Sequence, residues 1–312
     1  MKYSYAIFAD SGCELTAELR NRFEVDGYLK GYISTPDADN IETSLDLNEA
    51  ELDKFFASVK QHKNGFKTSP PSIEEIVLYF ESFLKQGKDV LALSMSNAMS
   101  ATYNLMLKAK EIVCKKYPDR KVFVIDTLRV SASVGLLTAK ACALRAEGLS
   151  IEKNAEKIES IKKTVHQMGT LDDLFWLASK GRVSGAKAFF GTLAGIKSLG
   201  DYGPDGMSVP IAKVSGYKKA QAATVEYIKR TIKSANEQII FVAHSARREQ
   251  AEILAALIKE NIKPKEVIIC GVQQISGINI GPGLFAAYYF GTEITDLKNE
   301  KEIINNIIES KL

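Results

Sequence analysis

The run Val90-Leu91-Ala92-Leu93-Ser94, the helix-period stretch Ala101–Lys116, the run Val122-Phe123-Val124-Ile125 and a second helix-period stretch over Ser131–Glu147 decide the fold. Short unbroken apolar runs read as strands buried on both faces, and such strands belong to parallel sheets covered by helices on either side. Two of them joined through a helix form a parallel crossover unit. The alternation extends toward the N-terminus. Tyr3–Ala9 reads as a strand, Leu15 and Leu19 share one face of a helix starting at Glu14, and Tyr28–Ser34 reads as a second strand. Thr35–Leu47, with Pro36 and four acidic residues, reads as a surface loop. Asn48 can cap a helix whose Leu52, Phe55, Phe56 and Val59 fall at i, i+3, i+4 and i+7. A further helix starts at Ile73 and buries Ile76, Val77, Phe80 and Leu84, with Ser72 and Glu75 spaced as a capping box.

Near Gly148 the pattern restarts with a charged helix at Ser150. Helices are expected near Leu171–Lys180 and Ala186–Leu193. Gly200–Gly206 marks a turn between two strands, the second over Val209–Val214. Strands at Ile239–Ala243, Val267–Cys270 and Leu284–Phe290 alternate with helices at Lys218–Lys233 and Arg247–Lys259, and Thr295–Leu312 carries an isoleucine stripe at helical spacing. The fold class is therefore α/β in two domains. An N-terminal doubly wound three-layer α/β/α domain is expected over residues 1–155. A C-terminal α/β domain with a mixed sheet and a helical extension is expected over residues 156–312.

Over 312 residues, 41 basic and 38 acidic side chains leave a formal charge of +3. That balance gives no broad electrostatic reason to expect nucleic acid or an anionic membrane as partner. No apolar run approaches the roughly 18 residues of a membrane span. Asp10 cuts the apolar run of Met1–Thr16 short of a secretory signal, so a cytoplasmic location is expected. The four cysteines lack metal-ligand spacing, and the three histidines (His62, His166, His244) are isolated, so neither metal nor cofactor is expected. Phosphate-cradling, dinucleotide-binding, zinc-protease and nucleophile-elbow motifs are all absent.

Hydroxyl-rich turns stand instead where strands hand over to helices. Thr68-Ser69-Pro70-Pro71-Ser72 runs into one helix; Ser72 is taken by capping, and Thr68 is not. Ser94-Met95-Ser96-Asn97-Ala98-Met99-Ser100 runs into the next, with Ser100 at the first turn, where unpaired N–H groups and the helix dipole favour an anion. Crevices at the carboxyl ends of such strands are where open α/β sheets bind ligands. Lys180-Gly181-Arg182-Val183-Ser184 reads as a helix C-cap or a basic surface, with Lys187 and Lys197 nearby. Asn279-Ile280-Gly281-Pro282-Gly283 reads as a turn or as backbone brought close to a ligand.

In that order, these elements resemble the DegV family of bacterial proteins over roughly residues 4–290. Ala9-Asp10-Ser11 is similar to the family's D-S-T/S turn, Thr68–Ser72 to T-S-Q-P-S, and Ser96–Tyr103 to S-S-G-L-S-G-T-Y. Val124–Thr127 is similar to V-I-D-T/S, Lys180–Ser184 to G-G-R-I/V-S, and Asn279–Gly283 to the end of T-H-x-G-P-G. The resemblance implies a non-catalytic lipid carrier that binds a long-chain fatty acid in a buried tunnel between the domains. Its carboxylate would be held by Thr68 and Ser100, with Ser69, Ser96, Asn97, Asn279 and Gly281 lining the site. It also implies, for some members, delivery to an ATP-dependent fatty acid kinase, for which Arg182 is the partner-facing candidate. The chain departs from the family pattern at Pro70, Asn97, Ala98, Asn279, Lys180 and Ser215. Two other readings stand beside it. One is an acyl or phosphoryl transferase or hydrolase with Ser100 as nucleophile and His244 as base. The other is a binding protein that has drifted to a different anion.

Overall fold

The computed structural model describes residues 2–185 and 195–310 and separates into two compact units. Unit 1 comprises Met1–Asp46, Asn64–Lys162 and Gln273–Ile275; unit 2 comprises Leu47–Lys63, Lys163–Val272 and Ser276–Leu312.

In chain order the first half runs β1 (Tyr5–Asp10), α1 (Ala17–Phe23), β2 (Gly27–Leu29), β3 (Tyr32–Ser34), β4 (Ile41–Glu42), α2 (Glu49–Gln61), β5 (Lys67–Ser69), α3 (Ile73–Leu84), β6 (Asp89–Ser94), α4 (Thr102–Lys116), β7 (Val122–Asp126), α5 (Ala132–Ala146) and α6 (Ile151–Ile161). Unit 1 is built on an all-parallel sheet in the order β2-β1-β6-β7. Strand alternation sends Ala6, Phe8, Val90 and Ala92 to one face, where Ile76 and Phe80 of α3 and Met106, Ala109 and Val113 of α4 close over them. On the other face Arg145 of α5 donates to the Tyr5 carbonyl (3.1 Å), and Asn154 of α6 donates to the Tyr5 hydroxyl (2.9 Å). This is the three-layer arrangement that the apolar runs predict. A separate antiparallel sheet, β4-β3-β5, carries Thr68 on β5 opposite Ile33. The predicted capping box forms at Ser72/Glu75, and Asn48 caps α2 as expected, with Glu51 completing a second box.

Unit 2 takes α2 and continues with β8 (Val165–Leu171), α7 (Leu174–Ser179), β9 (Ile196–Tyr202), β10 (Ser208–Ser215), α8 (Gly216–Thr231), β11 (Ile239–His244), α9 (Arg248–Asn261), β12 (Glu266–Gly271), α10 (Gln274–Ile280), β13 (Phe285–Phe290) and α11 (Lys298–Glu309). The first residues of α10 belong to unit 1. The sheet is mixed, β10-β9-β8-β13-β11-β12, with only β11 and β12 parallel. The protein is thus α/β, with a parallel sheet and a small antiparallel sheet in unit 1 and a mixed sheet in unit 2. The isoleucine stripe of the tail docks within the unit, where α11 packs on α8 and β10 with Ile304 and Ile307 buried.

Several local expectations change. The strand expected over Tyr28–Ser34 divides into β2 and β3, which belong to different sheets. The hinge is Gly31, where a side chain would meet the Ser11 hydroxyl and the Ser69 carbonyl at 3.2 Å each. The helix expected from Glu14 begins only after Thr16, because Glu14 has a left-handed backbone and is fully buried. Its carboxylate accepts from the Ser131 hydroxyl (2.9 Å) and the Gln273 N–H (2.7 Å). The helix expected from Leu171 shrinks to α7, capped by Asp173, because the preceding residues form β8. That strand was hidden by polar residues that find partners inside: His166 Nδ1 meets Asp201 Oδ2 at 2.6 Å. A cut at 155/156 falls inside α6, which unit 1 keeps whole. The helix expected over Ala186–Leu193 and the side chain of Lys187 lie outside the described residues.

Candidate functional site

The parallel sheet reverses its direction of growth at β1, which has β2 on one side and β6 on the other. The carboxyl ends of β1 and β6 therefore flank the topological switch point, where doubly wound sheets place their ligands. The two turns leaving those strands are fastened together by Asp10. Its Oδ1 accepts the Gly12 N–H (3.0 Å), while its Oδ2 accepts the Met95 N–H (2.7 Å) and the Ser94 hydroxyl (3.1 Å). Asp10 is buried, and loss of hydration pushes its carboxyl up to about 6 against the pull of these three donors.

Beyond Met95 the chain makes the turn that delivers Ser100. Ser96 is buried; its N–H donates to the Arg129 carbonyl (2.7 Å), and its hydroxyl oxygen accepts the Ala98 N–H (3.3 Å). The Asn97 N–H donates to Asp126 (3.2 Å) and its side-chain oxygen accepts from Asn104 (2.8 Å), which leaves Asn97 exposed as part of the turn. Ser100 is half-buried, its Oγ 2.9 Å from the Thr102 hydroxyl, and it accepts the Thr102 N–H at the start of α4 (3.3 Å). On the β1 side, the Ser11 hydroxyl and the Ser69 carbonyl both approach Gly31, each 3.2 Å from where its Cβ would stand, and Ser69 follows half-buried Thr68. Ile275 borders the same glycine. Unit 1 thus carries Ser96, Asn97 and Ser100 on the turn after β6, which Asp10 fastens to the end of β1, and Thr68 and Ser69 on β5 of the separate antiparallel sheet.

The remaining candidates belong to unit 2. Asn279 lies in the last turn of α10. Gly281 has φ +77°, and the group that comes close to it is the indole of Trp176, which a Cβ would meet at 2.7 Å. Ser245 holds the turn from below: its hydroxyl donates to the Gly281 carbonyl (2.7 Å) and accepts the Leu284 N–H (2.9 Å). Gly181 caps α7 with φ +71°, and half-exposed Arg182 reaches back to the Lys180 carbonyl. Lys197 is not the exposed cation that the sequence suggests. Its ammonium is held by Asp172 (2.6 Å), which also accepts from Tyr217 and Arg247. His244 is buried 3.4 Å from Glu49, and burial pushes its pKa down. Among the described residues no group of three or more His, Cys, Asp or Glu side chains is placed to hold a metal ion, and no helix is long and apolar enough to cross a membrane.

Sequence reasoning quoted Asp10 and Ser11 only as part of the family's turn, and left out Gly31 and the link that Asp10 makes to the end of β6. An Asp-Ser pair closing an apolar strand was the available signal. It also left out Arg129, which is buried in the loop after β7 that hydrogen-bonds Ser96.

A family model described as "Uncharacterised protein, DegV family" matches residues 4–292. A DegV domain-containing protein of Clostridium perfringens is 30% identical over 289 residues, covering 92% of this chain and 97% of its own. Among solved structures, a DegV family protein of Ruminococcus gnavus, solved with vaccenic acid, superimposes with a TM-score of 0.81 at 23% identity; the match covers 92% of this chain and 99% of that one. The fatty acid kinase B3 protein of Streptococcus pneumoniae, loaded with linoleic acid, gives a TM-score of 0.77 at 22% identity, over 94% and 100%. The chain belongs to the DegV family.

Proposed function

We propose that this protein binds a long-chain fatty acid, with the carboxylate hydrogen-bonded by Thr68 and Ser100, and acts as a non-catalytic carrier. The observation that supports it best is that Ser100, half-buried, stands on the turn that Asp10 fastens at the switch point of the parallel sheet, while Thr68, also half-buried, stands on β5 of the same unit. Fatty acids in the solved relatives support the ligand class. Burying about 14 methylenes at about 0.8 kcal/mol each gives roughly 11 kcal/mol gross. Two hydrogen bonds to a charged carboxylate add about 1.5–3 kcal/mol each. The alkyl chain then supplies most of the affinity, and the hydroxyls set which end is held. Presentation of the carboxylate to an ATP-dependent kinase in the cytoplasm, with Arg182 facing the partner, extends the same reading and is supported by the kinase-subunit relative.

The hydrolase reading has less support. The hydroxyl of Ser100 is engaged with Thr102, not with a base, and His244 Nε2 faces Glu49. Mass spectrometry of organic extracts from the purified protein tests the proposal. Wild type is expected to yield an alkyl carboxylic acid near one per chain, and folded Thr68→Ala/Ser100→Ala much less. Equal lipid in both proteins would remove these residues from the site.

A further inference from the structure

We infer that Asp10 is a positioning residue for ligand binding: as a carboxylate it holds the β1 and β6 turns in register, so that ligand retention weakens when it takes up a proton. The inference rests on the fatty acid reading for its ligand and on unit 1 alone for its geometry. All three donors to Asp10 come from the two strand ends at the switch point. Two are backbone N–H groups, of Gly12 and Met95, which cannot turn round to accept. A proton on either oxygen therefore leaves at least one of these bonds weakened. Among the described residues no lysine or arginine is ion-paired to Asp10, so the three hydrogen bonds alone hold the charge. Burial keeps the carboxyl near 6, within reach of ordinary pH. Cys13 beside it is buried, which pushes its thiol up, and the neighbouring charges that bear on that thiol are Asp10, Glu14 and Arg20; Asp10 itself answers to burial and its three donors. Met95 leads into the Ser96–Ser100 turn and Gly12 follows the end of β1. Slackening the Asp10 link therefore loosens the Ser96–Ser100 turn from the end of β1.

The experiment compares wild type with Asp10→Asn, which keeps the shape and removes the charge, between pH 5 and 8. Wild type should retain oleate about tenfold less well at pH 5.5 than at pH 7.5. Asp10→Asn should be weak throughout and lack the step near pH 6 that wild type shows. Protection of the Gly12 and Met95 amides in ligand-free protein should fall through the same step in wild type and not in the variant. That second readout separates the two claims. Failure of wild type to bind oleate at any pH would overturn the fatty acid reading, while the amide step would still support or reject the role of Asp10. A variant with the wild-type pH profile for retention, or unchanged amide protection across the step, would overturn the inference.

Discussion

Gly281→Ala is the substitution whose cost can be worked out most fully, because two penalties can be separated. The first is backbone: at φ +77° an alanine pays the left-handed penalty of about 1–2 kcal/mol. The second is collision. A Cβ would stand 2.7 Å from Cδ1 and Cγ of Trp176 and 2.8 Å from Cδ2. That ring is buried and held by its Nε1–H bond to the Ile278 carbonyl (3.0 Å), so it cannot swing aside without breaking the bond. Overpacking of this kind costs about 1–3 kcal/mol, for a total near 2–5 kcal/mol. Gly148 supplies the control, since it has φ +88° and nothing within 4 Å of an added Cβ. Gly148→Ala should show the backbone penalty alone. Trp176, the one tryptophan of the chain, reports on unit 2, whereas Gly148 lies in unit 1, so the unfolding of each variant in urea is followed by circular dichroism, which reads both units. In a Trp176→Leu background, followed by circular dichroism, the cost of Gly281→Ala should fall to that of Gly148→Ala. If Gly281→Ala costs no more than Gly148→Ala but abolishes oleate retention, the reasoning fails and the glycine is there for a ligand.

Ser72→Ala should cost about 1 kcal/mol in chemical denaturation, from the capping box with Glu75, and leave oleate retention unchanged, which would separate Ser72 from Thr68. Ile304→Ala and Ile307→Ala should each cost about 2–5 kcal/mol if α11 is held as described; a cost near zero would show that the helix does not dock there. Asp10 and Glu300 both have carboxyls raised by burial, so the native state holds protons that the unfolded chain has released. Their contribution is therefore present below the unfolded pKa and lost as pH rises through the folded one. For Asp10, between about 4 and about 6, this is on the order of 3 kcal/mol. Asp10→Asn should flatten that part of the stability profile, and an unchanged slope would contradict the burial argument.

The parallel sheet was legible because its strands are short apolar runs with no polar interruption, and the Ser72/Glu75 capping box because its spacing is local. β8 was not legible: His166 and Gln167 look like surface residues until Asp201 is placed beside them by β9, which is distant in sequence. α10 was missed because seven residues containing Gly277 carry no helical period, and the glycine is required by the rings of Phe55 and Phe56 packed against it. The assignment of α2 to unit 2 could not be read from a segment flanked on both sides by unit 1. Of the candidate site, Thr68 and Ser100 came from motif order. The Asp10 link between the ends of β1 and β6 depends on a contact between residues 10 and 95 that no local pattern encodes.

The most direct measurement of carboxylate capture is the NMR signal of carboxyl-¹³C-labelled oleate bound to the protein. Two hydroxyl donors on the headgroup predict one narrow bound resonance that shifts in Thr68→Ala, shifts in Ser100→Ala, and moves to the position of a hydrated carboxylate in the double variant. A bound resonance that stays in place in all three would show that the headgroup is held by other residues.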